Sequence, residues 1–173
     1  MKNWLFVAVV FAMPGQAIAQ GAKSCLTPPE AEALVTYALP SAIRAMTTRC
    51  TPVLPATTAL IQSGPVIAAR YQVDADKAWP AARVAFDKIS GLDFATTVGE
   101  PAAKGLIEVL VGAGLSEKVK PTDCPKFDRI VDILQPLPTK NMAMLITTLM
   151  AIDTADRQKK PPFKMCSTPV SGE

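Results

Sequence analysis

Four cysteines, Cys25, Cys50, Cys124 and Cys166, constrain this chain more than any other residues, because each bond between them fixes which segments must be neighbours. Whether they bond depends on the compartment, and residues 1–19 bear on that. Lys2 gives a positive start, Trp4 to Met13 is an uncharged apolar run, and Ala17-Ile18-Ala19 has the small-x-small pattern that signal peptidase cuts. Ten apolar residues span only about 15 Å as helix, half of a hydrocarbon core near 30 Å, so the segment reads as a signal peptide and not as an anchor. Lys23, two residues before Cys25, does not suit a lipid-attachment box. Residues 20–173 then read as a single exported, soluble domain with a basic C-terminal tail over 156–173. Their longest apolar runs, Leu106–Val111 and Met142–Ile152, stop short of the roughly 20 residues that a membrane span needs. The 26 alanines and the lack of any Asn-x-Ser/Thr site lean towards a bacterial, periplasmic protein over a eukaryotic secreted one.

An even cysteine count in an oxidising compartment reads as two disulfides. Zinc is the rival reading. Structural zinc sites use close ligand pairs, often with histidine, whereas here the nearest cysteines are 25 residues apart and histidine is absent. The pairing follows from the helices the sequence predicts. Thr27-Pro-Pro-Glu30 is a capping-box start, and Ala31, Leu34, Val35 and Ala38 then keep to one helical face. Proline lacks the amide donor and clashes with the preceding turn, so Pro40 is expected to end this helix, with a second one running from about Ser41 to Arg49 and ending at Cys50. If the chain reverses at Pro40, Cys25 and Cys50 meet. If it does not, they stand roughly 35 Å apart and cannot bond. Downstream, Cys124 opens a helix carrying Phe127, Ile130, Val131 and Leu134. Gln135-Pro-Leu-Pro138 breaks it, and Thr139 starts a return helix to about residue 155. On this reading the bonds are Cys25–Cys50 and Cys124–Cys166, each tying one helical hairpin.

Between the hairpins, Pro55, Gly64-Pro65, Pro80, Gly91 and Pro101 punctuate the chain into short helices near 55–62, 65–72, 79–89 and 100–112, with Gly91 suited to a C-terminal cap. No stretch alternates as a strand would. The expected fold is all-α: a compact, irregular array of six or seven short helices, with two disulfide-tied hairpins packed on the 100–112 helix, which is apolar over most of its girth. Leu34, Val35, Leu106, Leu110, Phe127, Ile130, Val131, Ile146 and Leu149 are the expected core.

Composition excludes more chemistry than it suggests. Without histidine there is no Ser-His-Asp or Cys-His pair and no ordinary catalytic zinc, and no Gly-rich phosphate cradle is present, so no cofactor or metal is expected. A net charge of +3 is too even for a nucleic-acid partner. Carboxylates remain, in the pairs Glu30/Glu32, Asp74/Asp76 and Glu100/Glu108, and such pairs can hydrolyse glycosidic bonds. Arg157, Lys159, Lys160, Phe163 and Lys164 form a basic tail with one aromatic, suited to weak contact with an anionic surface. Trp79 is the aromatic candidate for a binding platform, though it also suits a core anchor. The favoured reading is a small exported binding or interaction module that engages a protein or envelope component through a helical surface or groove, without catalysis. The alternatives are a histidine-free hydrolase of cell-wall glycan and a structural envelope component.

Overall fold

The computed structural model describes residues 25–155 and 163–166. They form helices α1 (Pro28–Cys50), α2 (Ala59–Ser90), α3 (Phe94–Val98), α4 (Glu100–Lys118), α5 (Cys124–Leu134) and α6 (Thr139–Ala155), with a short 3-10 turn at Pro121–Asp123. The fold is all-α and disulfide-tied, as expected. The signal-peptide reading lies outside the described residues.

The prolines do not divide the chain. Pro40 sits inside α1, and Pro65 and Pro80 inside α2. Each removes one helical hydrogen bond, at a cost of about 3 kcal/mol in an isolated helix. Burial offsets that cost in α1, where Leu39, Pro40, Ser41 and Ile43 are all buried. In α2 both prolines are exposed, so carbonyls robbed of a donor can meet water. The short helices expected at 55–62, 65–72 and 79–89 are therefore one 32-residue helix. It ends where expected, at Gly91, whose φ of 72° lies in the left-handed region that glycine tolerates.

α1 and α2 form a long antiparallel hairpin, the most extensive helix contact in the fold. Lys88 pairs with Glu30 at 2.8 Å near one end. The Tyr37 and Trp79 rings meet in the middle with centroids 4.9 Å apart. Towards the turn, Arg44 donates to Gln72 at 2.8 Å. Gly64 lets the helices close up, since a Cβ there would come within 2.6 Å of the Thr47 hydroxyl oxygen. The capping box reads true, with Glu30 accepting the Thr27 amide at 2.8 Å.

On this hairpin α5 lies against α2, and α4 and α6 against α1, while the short α3 lies against α4. Asp128 of α5 accepts the Leu60 amide at 2.7 Å and so caps the start of α2 from another helix. The α5–α6 turn is held by α2: Tyr71 donates to the Leu137 carbonyl at 2.9 Å, Arg70 donates to the Gln135 carbonyl, and Thr139 donates to Asp74 at 2.7 Å.

Two expectations are corrected here. First, the disulfides are Cys25–Cys166 and Cys50–Cys124, not Cys25–Cys50 and Cys124–Cys166. With α1 unbroken, Cys50 lies a full helix length from Cys25, and it bonds instead to the start of α5. Second, the central helix is α1, not the 100–112 segment. α1 is buried around its circumference, whereas α4 buries only Ala103 and Ile107. Of the expected core, Leu34, Val35 and Val131 are buried, Phe127 and Ile146 pack against the cluster that holds Val35 and Val131, and Leu106 is half-buried. Leu110, Ile130 and Leu149 are exposed.

Candidate interaction surface

α6 carries the least expected surface of the fold. Its inward side is formed by Ala143 and Thr147, both buried, with Met142, Ile146 and Met150 packed against the main core. A helix lying on a core ordinarily turns a polar face to water. Here the outward positions Leu145, Leu149 and Ile152 repeat at i, i+4 and i+7, and Leu149 and Ile152 are 55% and 63% exposed. From Asn141 to Ile152 there is no charged residue, so the stripe carries no ionic selectivity. Neighbouring α5 also exposes Ile130 and Ile133. The sequence reading placed Leu149 in the core and did not single out this stripe. The signal that marks it is a dozen uncharged residues in a helix that can bury only one side.

The candidates named from sequence are placed elsewhere. Trp79 is only 4% exposed, tilted against Tyr37 and covered by the Lys104 ammonium 5.2 Å from its ring centroid. It is a core anchor and offers no platform. Phe163 is half-buried against a small apolar cluster around Leu26, and Lys164 is exposed. Arg157, Lys159 and Lys160 lie outside the described residues.

The carboxylate pairs do not converge. Glu30/Glu32 and Asp74/Asp76 are each two apart on one helix and so point about 200° from each other, while Glu100 and Glu108 stand about 12 Å apart along α4. Several are engaged. The Lys88 ammonium and the Thr27 amide hold Glu30 below the usual carboxylate range, the Thr139 hydroxyl does so for Asp74, and Lys104 for Glu100. Among the described residues no group of three or more acidic or thiol ligands could hold a metal, and no helix is long and apolar enough to cross a membrane. A shallow cavity of about 400 Å³ opens beside Gln62, Val66, Arg70 and Pro136, but its Arg70 is already occupied by the turn carbonyls.

Burial pushes the Tyr37 phenol up to about 12, and the nearby Glu108 and Asp76 carboxylates add to the shift. An unfolded tyrosine loses its proton near pH 10. The folded state keeps its proton longer, so stability is intact below about pH 10 and falls as pH rises towards 12, by about 2–3 kcal/mol in all. Urea unfolding of the parent and of Tyr37→Phe at about pH 9 and about pH 12 checks this: only the parent should lose that increment.

No family model, curated protein or solved structure matches the chain.

Proposed function

We propose that the protein is an exported, disulfide-stapled binding module whose outward α6 face seats an amphipathic helix of a protein partner, without catalysis of its own. The observation that carries this reading is the Leu145, Leu149 and Ile152 stripe. An apolar row at i, i+4, i+7 is the ridge that a second helix packs against, and its lack of charge favours an apolar partner over an anionic surface. Two disulfides favour an oxidising compartment, and with it the export read from residues 1–19. The periplasm of a bacterium is the compartment that the leader and the alanine-rich composition favour.

A photo-crosslinking residue in place of Leu149, activated in the native compartment, tests the face. The expected result is an adduct with another protein, abolished by Ile152→Lys while the thermal midpoint stays unchanged. An adduct of two copies of this chain would replace the partner helix by self-association, and no adduct would remove the face from consideration. Intact-mass measurement of the native protein checks export separately, with Gln20, free or cyclised, as the expected first residue.

A further inference from the structure

The two disulfides have opposite surroundings. Cys50 and Cys124 are both fully buried in the main core. Cys25 and Cys166 are both partly exposed, and their bond joins the stretch before α1 to a strap formed by residues 163–166. The strap lies parallel to residues 25–27. The Leu26 amide donates to the Lys164 carbonyl at 2.8 Å, and the Cys166 amide donates to the Leu26 carbonyl at 2.8 Å. Phe163 and Met165 project beneath it onto Leu26, Ala31, Leu34, Ala85, Phe86 and Ile89, a cluster separate from the main core. Leu26, Ala31 and Ala85 have no exposed surface.

Two backbone bonds and two partly buried side chains return about as much as ordering a four-residue strap costs. The covalent bond therefore decides whether the strap stays. We infer that Cys25–Cys166 is a redox latch: a dithiol opens this bond alone, the strap leaves, and the apolar cluster between the start of α1 and the end of α2 is uncovered. One thiolate of the dithiol attacks a sulfur of the bond, and the other cysteine leaves as thiolate. The second thiol then resolves the mixed disulfide, so the dithiol ends as a cyclic disulfide and both cysteines as thiols. Access makes the step selective, because an attacking thiolate reaches the surface bond without unfolding the chain and cannot reach the buried one. This inference is independent of the α6 proposal and uses none of its residues.

The test treats the folded full chain with graded dithiothreitol, without denaturant, and quenches with iodoacetamide for peptide mapping. Alkylation of Cys25 and Cys166 should run at least about tenfold ahead of Cys50 and Cys124, with helical circular dichroism retained. In the reduced chain the Leu26 and Cys166 amides should then exchange hydrogen freely while those of α1 stay protected. The Cys25→Ser/Cys166→Ser double variant should show the same fast exchange at Leu26 without reductant. Phe163→Ala in the oxidised chain should speed opening of the bond, which exposure of the sulfurs alone would not bring about. Equal alkylation of all four cysteines, loss of helix with the first bond, or a reduced chain whose Leu26 amide stays protected would each overturn the latch.

Discussion

Exchanging Cys50 and Cys124 together for alanine should lower the unfolding free energy by about 4 kcal/mol. The bond spans 74 residues, and the chain-entropy relation assigns a loop of that size roughly that value. Nothing in the folded state can relax to recover it. Both sulfurs are buried, and beside them Arg49 of α1 donates to the carbonyl of buried Val119, fixing the approach to α5 a second time. Cys25–Cys166 spans 141 residues, so loop length alone would rank it first. It ties only a strap, however. Once that bond is cut, the folded state gains freedom along with the unfolded one, and the difference shrinks. Urea unfolding of the two double-alanine variants should therefore find the Cys50/Cys124 variant the less stable. The reverse order would mean that loop length outweighs burial.

The same distinction between local and tertiary causes separates what was legible in the sequence from what was not. The Thr27–Glu30 cap and the Gly91 terminus rest on neighbours within a few residues, and both were readable. The all-α class was readable too, because helical spacing recurs throughout. Pro40, Pro65 and Pro80 were misread as breaks, because what carries a helix through a proline is packing against another helix, or water at its exposed carbonyls. That one misreading also misassigned the disulfides. The pairing hung on whether α1 reverses at Pro40, and since it does not, Cys25 had to find a partner elsewhere. α6 posed a different problem. Leu145, Leu149 and Ile152 form as regular a stripe as Met142, Ile146 and Met150, and periodicity cannot say which of two apolar stripes faces inward. Only the placement of α1 decides that. The outward stripe, the candidate site, was for that reason not separable from the inward one, and its Leu149 was assigned to the core.

Trp79→Ala should cost about 3–5 kcal/mol and Leu110→Ala less than about 1 kcal/mol, the reverse of what a central α4 would require. Trp79 is enclosed on several sides. Tyr37 lies against it at an interplanar angle of 47°, Lys104 covers its ring, and Ala103 and Ile107 of α4 dock on the same cluster. Truncation would remove the largest side chain of that cluster, leave a cavity that α1 and α2 cannot close, and take away the floor on which α4 rests. Leu110 stands at the edge of the α4 face that Ala103, Ile107 and Val111 turn inward, and it is 51% exposed, so the cluster does not enclose it. Removing half-wetted methyl groups forfeits little transfer energy and opens no void. The measurement is urea unfolding followed by circular dichroism, with hydrogen exchange along α4 as a second readout. In Trp79→Ala the amides of Glu100–Lys118 should exchange faster than those of α1, and in Leu110→Ala they should match the parent. A Leu110→Ala protein as destabilised as Trp79→Ala would return α4 to the centre of the fold.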